Sequence, residues 1–388
     1  MAGTMLTHDG LRREIARRIE RVQAIMRANR VGALVVVGVA GPGGLGAMRY
    51  ISHAHFWGGS AYAVLGQDDP DPWICANSSY QAIWSRNETT TRPERVEAPD
   101  DVIARVAELA RGYAEAERRV AVVNMSRLLG VGDHRRLSGL LDGFEIVELT
   151  AEYNALRQIK TPFELEAMQQ NGAILDASMD VFRERARPGV RYWEVCAAVE
   201  AFVKAKGAFW GRTKVSLDLT PYTVPTARDR TISEDDIITF EIVYESPWGY
   251  WLEMTTVFSF HDLPGDVEAV LQAYLRAFEA SAAEAKPGNT FRAISDANDR
   301  TIAELGLTVA GKHTPDCHST GLDGSDGPSS ESSPDFVLKP NMVLSFHPGT
   351  VLQNDRGFLI SDNVLVTPEG GVRLSPHTAE RYFLRLDR

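Results

Sequence analysis

The sequence predicts an α+β protein of two domains, and three observations carry that prediction. The chain has 388 residues, more than one hydrophobic core of ordinary size requires. As far as Thr150, strand-like and helical runs alternate, which is the pattern of an α/β layer domain. Beyond Thr150, blocks of helical periodicity give way to blocks of extended alternation, and this happens twice, as in a duplicated helix-then-sheet unit. The expected boundaries are 1–155 for the smaller domain and 156–388 for the larger.

Each element has its own justification. Leu11 to Ala28 places Ile15, Ile19, Val22, Ile25 and Met26 near helical spacing among arginines and reads as an amphipathic helix. "GALVVVGV" reads as a buried strand, "MRYISHAHFWGGSAYAVLG" and "PWICANSS" as further strands, "DVIARVAELARGYAEA" as a helix, and "RVAVVN" and "FEIVELT" as strands. In the second part, Thr161-Pro162 with Glu164 in the first turn marks a helix start, and Pro188-Gly189 marks its end. A second helix runs from Tyr192 to Lys206. "DDIITFEIVYESPWGYWLEMTTVFSF" is two extended runs about a Pro-Trp-Gly turn, hence a hairpin. Two more helices follow, then "NMVLSFHPGTVL", "GFLISDNVLVT" and "ERYFLRL" as strands. "STGLDGSDGPSSESSPDF" is a long polar loop of the kind that often carries function.

Composition excludes several classes of function. Hydrophobic residues at 44% and charged residues at 24% are the balance of a globular domain, so disorder and fibrous structure are set aside. A formal charge of -11 without long runs of one sign opposes binding to a polyanion, so no nucleic acid partner is expected. Three separated cysteines, Cys75, Cys196 and Cys317, fit a reducing compartment rather than a disulfide framework. No apolar run has the length of a signal sequence or of a membrane span, so the expected location is the cytoplasm, with no membrane partner.

The second part resembles the creatinase, prolidase and aminopeptidase P family (M24). "LRQIKTPFELEAM" looks like that family's entry into its catalytic domain. "DDIITFEIV" and "WGYWLEMTTVF" resemble the strands that carry its two aspartate ligands, "CHSTGL" its histidine loop, "MVLSFHPG" its first glutamate strand and "GFLISDNVLVT" its last. The resemblance implies a pita-bread catalytic domain, a creatinase-type N-terminal domain and a homodimer acting on a small-molecule substrate.

At the ligand positions the chain departs from that family. Glu241 and Glu253 stand for the aspartates, His318 for the histidine, His347 for a glutamate and Ser361 for the last, bridging glutamate. Bridging carboxylates offset the repulsion of two dications ~3.5–4 Å apart, and neutral Ser361 and His347 cannot supply that charge. A two-metal centre is therefore not expected. Two outcomes fit the residues equally well. In one, Glu241, Glu253, His318 and His347 hold a single divalent ion, Fe, Zn, Mn or Ni; in the other no metal binds and the same groups act as acid, base and hydrogen-bonding partners, as the creatinase branch allows.

Other residues are drawn in with less direct support. Tyr222 or His313 could stand in for proton-handling histidines that the resemblance places elsewhere, since the expected His-Glu pair reads Ser325-Asp326. Trp251 and Arg228 are candidates for holding substrate. So are Phe56 and Trp57, in the segment that resembles the family's reach toward a neighbouring subunit, with His53 and His55 beside them. The bland alternatives are sheet packing for Trp248, Tyr250 and Trp251, a turn role for Arg228 and Arg230, and core filling for Cys317. Asp362 alternates away from Ser361 and reads as structural.

The expected function is hydrolysis of a C–N bond in an amide, amidine or modified amino acid, with a role in specialised metabolism. Glu241 or Glu253 would be the base. A mononuclear iron enzyme, oxidative or lyase-like, and a non-catalytic binding protein are the alternatives from other classes.

Overall fold

The computed structural model describes residues 4–41, 43–217, 219, 224–225, 230–312, 314–348, 350–352 and 357–387. It divides into two compact units, Met1–Gln158 with Leu322–Asp326, and Ile159–Gly321 with Gly327–Arg388.

The first unit is built on a six-stranded mixed sheet in the order β4-β3-β2-β1-β5-β6. Its strands are β1 (Ala33–Val39), β2 (Ser60–Gly66), β3 (Trp73–Ala76), β4 (Val96–Glu97), β5 (Arg119–Val123) and β6 (Glu145–Glu148). β1 is buried along nearly its whole length, which is why it reads as an unbroken apolar run rather than an alternating one. Helix His8–Ala28 presents Leu11, Ile15, Ile19, Val22 and Met26 inward, as its 3.6-residue spacing requires. One expectation fails here: "MRYIS" lies in a helix, Gly46–Ser52, ended by His53 in the left-handed region at φ 54°. Its fully buried sequence carries no polar face to betray the helical period.

In the second unit, helix Pro162–Arg185 begins with a capping box, in which Thr161 Oγ1 accepts from the Glu164 N–H and the Glu164 carboxylate accepts from the Thr161 N–H. A five-stranded sheet runs in the order β17-β10-β9-β7-β8, with β7 (Trp210–Leu217), β8 (Val224–Pro225), β9 (Ile238–Glu245), β10 (Trp251–Ser259) and β17 (Phe383–Arg385). A four-stranded sheet, β12-β13-β15-β16, uses β12 (Cys317–Ser319), β13 (Val343–Phe346), β15 (Asp362–Thr367) and β16 (Gly370–Arg373). β11 (Val309–Lys312) pairs with β14 (Thr350–Leu352).

Period-two alternation sorts the side chains of β9 and β10. Phe240 and Phe258 point to the helix, where their rings lie 4.3 and 4.6 Å from Phe182. Glu241 and Glu253 therefore point the other way. Asp362 also faces away from Ser361 and is buried, accepting hydrogen bonds from Ser375 Oγ at 3.2 Å and Tyr382 OH at 3.0 Å. No helix among the described residues is long and apolar enough to cross a membrane.

Candidate functional site

Strand register fixes the site. β7, β9 and β10 are antiparallel neighbours in which Lys214 faces Glu241 and Glu241 faces Thr255. Side chains directly opposite share a face, and so do residues two apart on one strand. Lys214, Glu241, Thr255 and Glu253 therefore stand on one side of the sheet. In the second sheet His318 faces Ser345, and Ser345 faces Asn363. Cys317 and Phe346 take the opposite side and join the apolar core with Leu344 and Val364. Cys317 is thus a core residue, and burial pushes its thiol well up, away from the thiolate a metal requires.

Three of the expected residues converge. Glu253 Oε1 lies 3.6 Å from His318 Nε2 and 3.5 Å from His347 Nε2, and one ligand atom from each residue falls within 4.8 Å of the others. The imidazole rings of His318 and His347 are 4.9 Å apart. His347 follows the end of β13 and is placed by its own N–H, which donates to the Asp316 carbonyl at 2.9 Å. Among the described residues, Glu253 Oε1, the atom that faces both imidazoles, is buried without a hydrogen-bond partner. Buried polar atoms of a native protein are normally paired, so an orphan at this place fits a ligand between the three side chains. Ligand atoms at ~2.1 Å from a tetrahedral ion lie ~3.4 Å apart, close to the two separations seen. The donor set thus fits one divalent ion held by Glu253, His318 and His347.

Glu241 is engaged differently. Ser361 Oγ donates to its Oε1 at 3.1 Å, and the Lys214 ammonium forms an ion pair with its Oε2. Ser361 is itself fixed from both sides: its N–H donates to Thr255 Oγ1 at 2.7 Å, and its carbonyl accepts from the Thr255 N–H at 3.1 Å. Glu241 lies outside the three-residue cluster found among the described residues.

Burial and neighbouring charge set the protonation of the site. Burial pushes the Glu241 carboxyl above its usual range, with Lys214 pulling it back and Glu253 adding to the rise. For Glu253 burial acts the same way, but the His347 and His318 imidazoles and Lys214 prevail and hold it below its usual range. Burial lowers His347 against the opposing pull of Glu253, which favours the neutral imidazole that ligates metals.

The other expected residues are placed as follows. Tyr222, His313 and Arg228 lie outside the described residues. Trp251 is on the face of Glu253, two residues before it on β10, and its ring is 5.2 Å from that of Trp210. Trp248 and Tyr250 turn away to the long helix, where Trp248 Nε1 donates to Gln170 at 3.2 Å and Tyr250 OH to Glu164 at 3.3 Å. Arg230 pairs with Asp236 at 2.7 Å. Within the first unit, Phe56 is core at 3% exposure and Trp57 is 75% exposed. His55 Nδ1 accepts from Arg49 at 2.7 Å, and burial lowers His53 to about 3.

The sequence reading passed over Lys214 altogether. Its only signal is a cation within "WGRTKVSL", a run with no other mark of function, and only the β7–β9 register brings it to Glu241.

Comparison with known proteins agrees with this architecture. The model of metallopeptidase family M24 matches residues 166–368, just over half the chain, and that of the creatinase/prolidase N-terminal domain matches 18–159. The chain belongs to metallopeptidase family M24. It has that family's pita-bread fold behind a creatinase-type N-terminal domain. An uncharacterised peptidase of Staphylococcus saprophyticus is 24% identical over 285 residues, 68% of this chain and 78% of that one. The Xaa-Pro dipeptidase of Pyrococcus furiosus is 29% identical over 232 residues, 57% of this chain and 64% of its own length. The X-Pro aminopeptidase of Thermotoga maritima superposes with a TM-score of 0.80 over 95% of this chain and 99% of that one, at 19% identity.

Proposed function

We propose that the protein is a hydrolase that cleaves a C–N bond in a small nitrogen-containing molecule, an amide, amidine or modified amino acid, at a single-ion centre. The observation that carries this reading is the convergence of Glu253 on both imidazoles at 3.5 and 3.6 Å, with its Oε1 buried and without a hydrogen-bond partner. The Xaa-Pro dipeptidase of Pyrococcus furiosus, a relative, lends support as an enzyme whose bond is also C–N. Altered ligand positions favour a substrate other than an X-Pro peptide.

In this reading Glu253, His318 and His347 hold one divalent ion. When bound, the ion polarises the substrate carbonyl or its amidine counterpart and acidifies water. The rest is done by the chain. Glu241, kept in place by Lys214 and Ser361, takes the proton of the attacking water and returns it to the departing nitrogen. Addition of water forms the C–O bond, and collapse breaks the C–N bond with that proton on the leaving amine. Trp251, packed with Trp210 on the face of Glu253, backs the reacting centre with apolar surface.

The test measures bound metal and the turnover of a panel of small amides, amidines and X-Pro dipeptides by protein purified without chelators or nickel resin. Glu253→Gln and His318→Ala should each lower both metal content and turnover at least ~100-fold. Unchanged turnover of an identified substrate by both variants overturns the reading, and so does strict dependence of turnover on oxygen.

A further inference from the structure

We propose that Lys214 is a tethered cation that occupies the ground a second metal ion would need, so that the site accepts one ion fewer while this lysine is present. The inference deepens the single-ion reading above and rests on it for the identity of the first ion's ligands.

The argument starts from the donors on this face. Two carboxylates, two imidazoles and a hydroxyl are, by number, enough for more than the one ion that Glu253, His318 and His347 accommodate. What limits the site is Glu241. A carboxylate joins two cations only if neither of its oxygens already faces one, and Glu241 meets the Ser361 hydroxyl through Oε1 and the Lys214 ammonium through Oε2, so a cation is in place beside it before any ion arrives; the lone pairs left over can still take a proton. The lysine is not a passing surface charge. Its α-carbon lies opposite that of Glu241 in the β7–β9 register, and its side chain is 23% exposed against 3% for the glutamate. A buried carboxylate in such a setting needs a counter-charge, and a covalently attached ammonium supplies it at every metal concentration. An incoming ion would have to displace that ammonium and also replace the Ser361 hydroxyl by a charged donor. Ser361 cannot become one, and its backbone is locked to Thr255 in both directions.

The two obstacles can be separated by substitution. Three proteins are compared, the unaltered chain, Ser361→Glu, and Ser361→Glu with Lys214→Met. Each is equilibrated with Mn2+ by dialysis, bound metal is counted by elemental analysis, and exchange coupling between ions is read by electron paramagnetic resonance. The expected result is one ion per chain in Ser361→Glu and two in the double variant, with a coupled Mn2+ pair only in the latter. Equal counts in the two Ser361→Glu proteins overturn the assignment of Lys214, whichever number they share. The unaltered chain tests the other reading on its own: if it binds no Mn2+ or Zn2+, the single-ion centre fails, while the difference between the two variants still decides the role of the lysine. Circular dichroism and melting temperature establish that each protein is folded. If glutamate at position 361 prevents folding, the same pair built on Ser361→Asp gives the comparison.

Discussion

Arg157→Met would test how the polar loop that follows His318 is held. Arg157 is buried and its Nη2 contacts two carboxylates, Asp323 at 2.7 Å and Asp326 in a shorter contact. Both aspartates are themselves buried, at 4% and 3% exposure. Backbone donors add to this: the Gly46 N–H donates to Asp323 at 2.9 Å, and the Asp323 N–H donates to Asp326 at 3.0 Å. Methionine would keep most of the volume and remove the charge, leaving two buried carboxylates without their guanidinium counter-charge. Breaking a buried pair in this way costs ~3–5 kcal/mol, far above the ~0–1 kcal/mol of an exposed pair. For a unit of this size that corresponds to a fall of ~6–20 °C in melting temperature. The assay is calorimetry together with urea unfolding at neutral pH. The triple variant Arg157→Met, Asp323→Asn, Asp326→Asn should recover a large part of the loss, because the stranded charges are gone. A loss below ~1 kcal/mol in Arg157→Met, or no recovery in the triple variant, would refute the reasoning. The position has a further interest, since Ser325-Asp326 stands where the family resemblance implies a catalytic His-Glu pair, and Asp326 is committed to Arg157.

Two further outcomes follow from other parts of the fold. Phe182→Ala removes a fully buried ring that contacts both Phe240 and Phe258; it should cost ~3–5 kcal/mol in urea unfolding and leave the number of bound metal ions unchanged, since those rings face away from Glu253. Asp176 is partly buried, which opposes its charge, yet His377 at 2.8 Å and Arg381 at 2.6 Å hold its carboxyl below the usual range. A carboxyl with a depressed folded value stabilises the protein above its unfolded value of ~3.9 and loses that contribution as the pH falls through the folded value. Asp176→Asn should therefore be less stable than the unaltered chain by ~2 kcal/mol at pH 7. The gap should close as the pH is lowered below ~4; a gap independent of pH over that range refutes it.

The sequence alone determined the class of fold and the strands on which the candidate site stands. Alternation in "DDIITFEIV" and "WLEMTTVF" sets phenylalanines against glutamates, and a period of two obliges these to face opposite sides of a sheet wherever the sheet lies. The same local rule separated Ser361 from Asp362 and His318 from Cys317. "MRYIS" was misread because a helix buried on every side carries no periodic polar signal, and the neighbouring strand lent it its apparent period. Only the tertiary structure decided which strand lies beside which. Lys214 precedes Glu241 by a long connection, and nothing local to either residue announces their pairing; the β7–β9 register creates it. That pairing separates Glu241 from Glu253, two similar residues in similar strands, and places one against an ammonium and a hydroxyl and the other against two imidazoles. Side-chain direction along a strand is a property of the local backbone, whereas the charge that meets a side chain is set by partners distant in the chain.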